Sequence, residues 1–236
     1  MSKQHVLSDL PDDELIIFPS TDKAFHEKHY EGRNACNFPH PYRCVCVGGV
    51  NRGKSTLIKN LIHFACPPFE RAYLLYPGQA GSDLKQRTAE WDDVQGLELL
   101  DSVPPPEFFP KSTDPRSKKA IVIIDDIDLK ALSSTERSNL DRLYGHVSTH
   151  RNVSVVASSQ DFFSVPPVLR RMCSHWIIWN CRDKHSLALI SRKTGTDLEE
   201  LFKTVASGAY DSVCIDLTPG TPMPLRLNIF KKIYCV

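Results

Sequence analysis

Residues 48–55 of this chain read Gly-Gly-Val-Asn-Arg-Gly-Lys-Ser and match the pattern G-x-x-x-x-G-K-[ST]. A short apolar, β-prone run at residues 44–47 precedes the pattern. Apolar residues follow it at helical spacing, namely Leu57, Ile58, Leu61, Ile62 and Phe64. The pattern therefore joins a strand to a helix, where backbone N–H groups and the positive end of the helix dipole attract an anion. These features predict a phosphate-binding loop.

Several positions of this loop have roles that follow from their chemistry. Gly53 lets the main chain approach the phosphates closely, because it has no side chain. Lys54 can reach the β- and γ-phosphates, and the Ser55 hydroxyl can coordinate Mg²⁺. We therefore expect ATP and Mg²⁺ as ligands of this chain. The predicted nucleotide-binding residues are Gly48, Gly49, Val50, Asn51, Arg52, Gly53, Lys54, Ser55 and Thr56.

Length and composition limit the remaining possibilities. With 236 residues and 41% hydrophobic side chains, the chain can bury a complete α/β core. No apolar run approaches the ~18 residues of a membrane span, and the N-terminus lacks the layout of a secretory signal. We therefore expect a protein that acts inside a cell and has no membrane span. Eight cysteines occur without a C-x-x-C spacing, which favours reduced core thiols over a disulfide framework or a zinc site.

The order of the predicted elements indicates a doubly wound α/β fold. Residues 1–40 are mostly polar and are expected to form an arm or a packed extension, and residues 41–236 form the main domain. The uninterrupted β-branched run at residues 120–124 is typical of a central parallel strand buried on both faces. Two late strands, near residues 212–217 and 225–230, predict a C-terminal hairpin. Further strands are expected at residues 72–76, 153–157 and 175–179.

Helices are expected between these strands, which makes the sheet mostly parallel with antiparallel strands at its edge. Ser133 with Glu136, and Thr196 with Glu199, have the spacing of a capping box and predict helix starts. Basic residues gather in two segments, although the net charge of the chain is only +1. Each segment fits either a solvated face or a contact with a polyanion. The two clusters are Lys111, Arg116, Lys118 and Lys119, and then Arg182, Lys184, Arg192 and Lys193.

A pair of carboxylates, Asp125 and Asp126, follows the central strand. Ligands of such sheets bind beyond the carboxyl ends of the strands, which is where this pair lies. Asp125 is predicted to hold Mg²⁺ together with Ser55, directly or through water. Asp126 is the candidate that orients or deprotonates the attacking water, although many ATPases have the longer Glu there. The structural alternative is an acidic turn that begins a helix.

Three further residues are candidates for the reaction. Gln160 is the last of a polar trio, Ser158-Ser159-Gln160, that ends the strand at residues 153–157 and would lie beside the γ-phosphate if that strand neighbours the acidic one. It could then sense phosphate or hold water, or it could be an ordinary loop residue. Arg151 precedes the same strand, and Arg170 follows a turn predicted at Pro166-Pro167. Either arginine could face a neighbouring subunit and neutralise transition-state charge, or lie at the surface without such a role.

The order of these motifs resembles that of the viral genome-packaging ATPases of the FtsK/HerA superfamily, and within it the poxvirus-like packaging ATPases. The likeness covers residues 43 to about 180, and it depends mainly on Arg-Asn-Val-Ser-Val at 151–155 with Gln160, and on Pro-Pro-Val-Leu-Arg at 166–170. It implies a RecA/FtsK-like P-loop NTPase fold with a mostly parallel sheet flanked by helices.

The same resemblance implies a function and its partners. It implies a homo-oligomeric ring, a pentamer or hexamer, that uses ATP to thread double-stranded DNA into a capsid. A capsid protein would be a further partner. The site of action would be the host cell interior, in the cytoplasm or nucleus, or the virion itself. The resemblance also implies that Arg151 or Arg170 acts in trans as an arginine finger.

Two alternative functions remain open from the sequence. A GTPase is suggested by Asn51 in the loop, by the D-x-x-G match at residues 93–96 and by a partial N-K-x-D match at residues 180–183. Against it, Asp93 does not follow an apolar strand, and Cys181 replaces the lysine of the second motif. The other alternative is a nucleotide-binding scaffold with little turnover, which the absence of Glu at position 126 supports.

Overall fold

Ten strands form one sheet in the computed structural model, which describes residues 5–7, 36–65, 67–76, 89–125, 127–181, 183–219 and 221–235. The strands are β1 His5–Leu7, β2 Arg43–Val47, β3 Arg71–Leu75, β4 Leu97–Leu100, β5 Ala120–Ile124, β6 Val153–Ser159, β7 His175–Trp179, β8 Ser212–Asp216, β9 Leu225–Leu227 and β10 Lys231–Cys235.

The sheet has the order β1-β10-β9-β8-β7-β2-β6-β5-β3-β4. All pairings from β7 through β2, β6, β5 and β3 to β4 are parallel. The remaining strands, β8, β9, β10 and β1, each pair antiparallel with their neighbour. The predicted mostly parallel sheet with a C-terminal hairpin, formed by β8 and β9, is therefore confirmed. Strand β9 ends at Leu227 instead of near residue 230, because Asn228 and Ile229 adopt positive φ angles of 50° and 65° and turn the chain into β10.

The helices cover both faces of the sheet. They are α1 Lys54–His63, α2 Ser134–Arg142, α3 Pro167–Met172, α4 Lys184–Thr194 and α5 Leu198–Thr204. A π-helical segment, Leu143–Val147, and the short helix Ser148–His150 continue α2 toward β6. Among the described residues, none of these helices has the length and apolar character to cross a bilayer.

Three expectations about helix starts have different outcomes. The capping box of Ser133 and Glu136 is present at the start of α2, as predicted. The predicted cap at Thr196 is wrong by one residue, because the side chain of Asp197 accepts a hydrogen bond from the Glu200 amide at 3.1 Å. The turn predicted at Pro166-Pro167 is instead the start of α3, since proline is accepted in the first turn of a helix.

Alternate residues of the parallel strands point to opposite faces, and each face is covered by helices. Cys44 and Cys46 of β2 pack in the core that contains Leu57, Ile58 and Leu61 of α1. Val45 and Val47 pack in the other core, which contains Leu140, Leu169, Leu187 and Leu201 of the remaining helices. Six cysteine side chains are described; all are thiols, and Cys36, Cys44, Cys46, Cys173 and Cys214 are buried, as predicted.

The N-terminal part of the chain contributes to this sheet where it is described. Strand β1 pairs with β10 and extends the antiparallel edge. Cys36 and Phe38, which precede the predicted boundary near residue 40, are buried against the core. The division into an N-terminal extension and a main domain stays a prediction.

A buried charged cluster joins the antiparallel strands to the parallel part of the sheet. Asp216 at the end of β8 lies 3.3 Å from Nε2 of His175 and 3.8 Å from Nη1 of Arg226, and none of the three side chains is exposed. Arg226 also donates hydrogen bonds to the Asn37 carbonyl at 3.2 Å and to the Cys214 sulfur at 3.1 Å. The cluster therefore connects β8 and β9 both to β7 and to the segment that precedes β2.

The pKa of Asp216 reflects these contacts. Burial alone would raise this pKa, but hydrogen bonding to His175, the charge of His175, and the hydroxyl groups of Thr218 and Thr221 together hold it below its ordinary value. The carboxylate is thus compensated in its charged form. Removing one partner of such a buried cluster is expected to cost more folding stability than removing one partner of an exposed ion pair.

We expect Arg226→Met to lower the free energy of unfolding by about 3–5 kcal/mol, because it leaves buried negative charge on Asp216 without its guanidinium partner. Urea unfolding followed by circular dichroism measures this change. Arg192→Met, at an exposed position of α4, is the matched control and should change stability by about 0.5 kcal/mol or less. An equally small loss of unfolding free energy in both variants would show that the buried cluster does not stabilise the fold.

We expect stability to fall as the pH drops from about 6.5 toward 4, because His40 is held neutral in the folded chain. Burial, followed by the charge of Lys119, lowers the pKa of His40 from 6.5 to about 4. In this interval the unfolded chain binds a proton that the folded chain does not, so acid favours unfolding. Urea midpoints at several pH values should show this slope in wild type and in the exposed control His63→Gln, and a smaller slope in His40→Gln. An unchanged slope in His40→Gln would disprove the assignment.

Candidate nucleotide-binding site

The phosphate-binding loop lies between β2 and α1, as the sequence predicts. Gly53 is the N-cap of α1 and has a φ of 85°, which a residue with a side chain adopts only with strain. Asn51 has a φ of 57°, in the same left-handed region, which asparagine tolerates better than most residues. No side chain among the described residues caps the start of α1, and its first turn contains no acidic residue. The start of this helix can therefore receive an anion.

Lys54 is folded over its own loop. Its Nζ donates hydrogen bonds to the carbonyl oxygens of Gly48 at 2.8 Å and Gly49 at 2.9 Å. The residue is only 8% exposed although it carries a charged group. The ammonium group is thus held at the centre of the loop, where a bound phosphate would receive it.

The carboxylate of Asp125 lies across from the loop and contacts it directly. The Ser55 hydroxyl donates a hydrogen bond to Oδ2 of Asp125 at 2.7 Å. The hydroxyl of Ser158 donates to the other oxygen, Oδ1. A hydroxyl and a carboxylate are the hard oxygen ligands that Mg²⁺ prefers, so this pair fits the predicted metal site.

The pairing of β6 explains this arrangement. Strand β6 is hydrogen bonded to β2 on one side and to β5 on the other. The condition set from the sequence, that this strand neighbours the strand before Asp125, is therefore met. In the β5–β6 register Ile124 lies opposite Ala157, which places Asp125 next to Ser158. On the other side, the Gly48 amide donates to the carbonyl of Ser159 at 3.1 Å. The end of β6 therefore touches both halves of the candidate site.

Trp179, the last residue of β7, forms the floor under the beginning of the loop. A Cβ atom at Gly48 would lie 2.9 Å from the Trp179 Cβ and 3.0 Å from its Cε3, closer than such atoms approach. A Cβ atom at Gly49 would have its nearest neighbour, Cγ of Arg52, at 4.0 Å. Only the first of these two glycines is therefore required by close packing.

A cavity of about 880 Å³ extends over the loop. Asp125, Gln160 and Lys59 line it. Asp126 lies outside the described residues, so its role stays a prediction. Three aromatic residues also line it, namely Tyr76, Trp91 and Tyr210. The residues of the loop that line the cavity are Val50, Asn51, Arg52, Gly53, Lys54, Ser55 and Thr56.

Neither candidate arginine finger lines this cavity. Arg151 precedes β6 and therefore lies at the amino end of the sheet, where its Nη1 donates to the carbonyl of Phe109 at 2.7 Å. The guanidinium of Arg170 lies 4.7 Å from the centre of the Phe162 ring. Both arginines are partly exposed. If either arginine acts as a finger, it would have to reach the nucleotide site of a neighbouring subunit, and this role stays a prediction.

Two residues of the alternative GTPase motifs have other partners in the structure. Asp93 pairs with Lys59 at 2.9 Å. Asp183 begins α4 as its N-cap, where Oδ1 accepts from the amide of His185 at 3.0 Å and Oδ2 accepts from the hydroxyl of Ser186. With both oxygens used in capping, Asp183 is poorly placed to bind a guanine base.

Several residues of the site were not among the predicted ones, and Trp179 and Tyr210 are two of them. Ser158 was predicted to lie beside the γ-phosphate with Ser159 and Gln160, but its hydrogen bond to Asp125 follows from the register of β6 against β5, which the sequence does not contain. Trp179 reads as an ordinary core residue of a buried strand. Tyr210 is in a loop without a recognisable motif, and the long chain separation from the phosphate loop hides its proximity.

The sheet order and the loop define a P-loop NTPase fold with a β-strand inserted between the loop strand and the acidic strand. The genome-packaging NTPase B204 of Sulfolobus turreted icosahedral virus 2, solved with sulfate, superposes with a TM-score of 0.55 at 16% identity over 80% of this chain and 96% of that chain. The DNA-packaging ATPase B204 of Sulfolobus turreted icosahedral virus gives 0.53 at 15% identity, over 80% and 97%.

The B204 complex with AMPPCP, again from Sulfolobus turreted icosahedral virus 2, also gives a TM-score of 0.53, at 17% identity over 79% of this chain and 96% of that chain. No protein-family model and no curated protein sequence matches the chain. The resemblance to viral genome-packaging ATPases is thus confirmed at the level of the fold.

We expect Gly48→Ala to weaken ATP binding by roughly tenfold, because the new methyl group collides with Trp179 and displaces the loop. Isothermal titration of ATP with Mg²⁺ measures the affinity, and urea unfolding checks that the variant folds. Gly49→Ala is the matched control, since its methyl group has space. If the two variants bind ATP equally well, the contact with Trp179 does not fix the loop.

Proposed function

We propose that this chain is an ATP-hydrolysing motor that translocates double-stranded viral DNA into a capsid. The observation that carries the proposal is the hydrogen bond of 2.7 Å between Ser55, in the phosphate loop, and Asp125, at the end of the central strand. It brings together the two groups that a P-loop NTPase needs for the metal of its nucleotide. The fold shared with structures described as genome-packaging NTPases and DNA-packaging ATPases supports the particular function.

In the proposed reaction, the hydrogen-bond acceptors of Lys54 change from two backbone carbonyl groups to the phosphates of the nucleotide. Its ammonium group leaves the carbonyl oxygens of Gly48 and Gly49 and binds the β- and γ-phosphates. Ser55 and Asp125 would hold Mg²⁺, whose charge offsets the negative charge on the phosphate oxygens. Ser158 keeps the Asp125 carboxylate oriented through its own hydrogen bond.

Water would be positioned by groups at the carboxyl ends of β5 and β6. Asp126 is our candidate for orienting or deprotonating the attacking water, as it follows Asp125 directly. Gln160 lines the cavity one residue beyond the end of β6, and we assign it to holding that water or sensing the γ-phosphate. Both roles are inferred from position along the chain and along the sheet edge.

A neighbouring subunit would complete the site in a homo-oligomeric ring of five or six copies. We propose that Arg151 or Arg170 supplies the guanidinium in trans, because neither lines the cavity of its own chain. DNA would be gripped through its phosphates, which requires no base contacts and makes binding dependent on salt. Closure of the interface around DNA would then bring the arginine to the phosphates and stimulate hydrolysis. A capsid protein would anchor the ring at the portal for DNA.

We expect ATP hydrolysis by the purified protein to rise when double-stranded DNA is added, and to fall by about 10²-fold or more in Lys54→Ala and in Asp125→Asn. Phosphate release with and without DNA is the measurement. Lys203→Ala, at an exposed lysine on α5 outside both basic clusters, is the matched control and should retain the wild-type rate. Asp125→Asn should still bind nucleotide, since it keeps the loop and Lys54.

Different outcomes point to different alternatives. A rate that is the same with and without DNA, in an active enzyme, would contradict the motor. Binding of ATP without turnover under either condition would favour the nucleotide-binding scaffold. Competition between ATP and GTP for the wild-type site tests the GTPase alternative, which requires a clear preference for GTP.

A further inference from the structure

A loop at residues 208–211, between α5 and β8, reaches the edge of the nucleotide cavity. Its Tyr210 lines the cavity and is nevertheless 71% exposed. Exposed aromatic side chains are common on protein surfaces, so exposure alone indicates nothing. The informative features are the place of this ring in the cavity wall and the way in which its backbone is held.

The backbone on either side of the ring is fixed by residues of the candidate site. The Arg52 guanidinium, from the phosphate loop, donates a hydrogen bond of 2.5 Å to the carbonyl oxygen of Ala209. Nε1 of Trp179, whose ring supports Gly48, donates to the carbonyl oxygen of Tyr210 at 3.1 Å. The floor and the tip of the phosphate loop therefore both bind this loop.

The loop is also braced on its other side. Asp211 accepts a hydrogen bond from the Gly208 amide at 2.8 Å and from Nδ2 of Asn228 at 3.2 Å. The ring of Tyr210 is therefore presented from a backbone that is already ordered. A ligand that stacks on it does not have to order the loop, which lowers the entropic cost of binding.

Tyr210 and Asp125 lie on opposite sides of the phosphate loop. Asp125 follows β5, which is two strands from β2 in one direction, whereas Tyr210 precedes β8, which is two strands away in the other. A triphosphate whose metal lies at Asp125 can therefore extend its nucleoside along the loop toward Tyr210. Arg52 lies between these ends at the tip of the loop, and its guanidinium is directed to the Ala209 carbonyl.

We propose that Tyr210 is the platform on which the nucleobase stacks, and that Arg52 is a positioning residue that fixes this platform to the phosphate loop. The proposal rests on the proposed nucleotide site and adds the recognition of the base to it. An aromatic ring that stacks on a base supplies affinity through its face, so phenylalanine can replace tyrosine.

The test compares ATP with inorganic tripolyphosphate, which has the phosphates of ATP but no base. Tyr210→Ala should weaken ATP binding by about 5- to 150-fold, the range expected for loss of one stacked base, and leave tripolyphosphate affinity unchanged. Tyr210→Phe should restore ATP affinity to within about threefold of wild type. Tyr234→Ala, at a partly exposed tyrosine of β10, is the control and should behave as wild type. Isothermal titration in the presence of Mg²⁺ measures each affinity.

Arg52→Ala separates positioning from direct phosphate binding. If Arg52 holds the platform, the variant loses affinity for ATP and keeps its affinity for tripolyphosphate. An equal loss for both ligands would mean that Arg52 binds phosphate, and it would overturn the positioning role.

The remaining outcomes are distinguishable from one another. Equal ATP affinities in Tyr210→Ala and Tyr234→Ala would overturn the platform while leaving the nucleotide site intact. The platform is also wrong if Tyr210→Ala weakens tripolyphosphate as much as ATP. If wild-type protein binds neither ligand, both the platform and the proposed function fail together.

Discussion

The candidate site depends on the position of β6 between β2 and β5. Parallel strands end at the same edge of a sheet, so this one insertion places the end of β6 beside both the phosphate loop and the acidic strand. Ser158 then meets Asp125, and the carbonyl of Ser159 accepts from the amide of Gly48. A shift of one residue in either register would turn Ser158 to the other face and remove it from the carboxylate. The geometry of the candidate metal site is therefore a property of strand pairing as much as of the motifs.

The antiparallel strands are tied into this site and do not only extend the sheet. The buried cluster around Asp216 fastens β8 and β9 to β7, and β7 ends in Trp179. Trp179 supports Gly48 and holds the carbonyl of Tyr210. Packing in the C-terminal part of the chain thus fixes the position of the loop that precedes β8, and through Trp179 it contacts the phosphate loop.

The sequence predicted the parts of the fold whose signal is local. The phosphate loop, the buried parallel strands and the capping box at Ser133 each depend on residues close together in the chain. Strand β4 was missed because it is an edge strand with a half-exposed pattern in which Glu98 and Leu99 face solvent. The cap of α5 was misplaced because Thr196 and Asp197 are both good caps, and only the path of the chain decides between them. The places of Trp179 and Tyr210, and the contact of Ser158 with Asp125, depend on strand order and register, which no short segment encodes.

The positive charges of the cavity bear on our proposal that a second subunit completes the site. Lys54 is within the loop and can contact bound phosphates. In contrast, the Arg52 guanidinium donates to the Ala209 carbonyl, and Lys59 pairs with Asp93. In the transition state of phosphoryl transfer, negative charge is spread over the γ-phosphoryl oxygens and develops on the leaving oxygen as the bond breaks. Moving Arg52 to that charge would release the loop of Tyr210, so we favour an arginine that arrives from a neighbour. Such an arginine also makes hydrolysis depend on the subunit interface, and this dependence would allow DNA in the ring to control the rate.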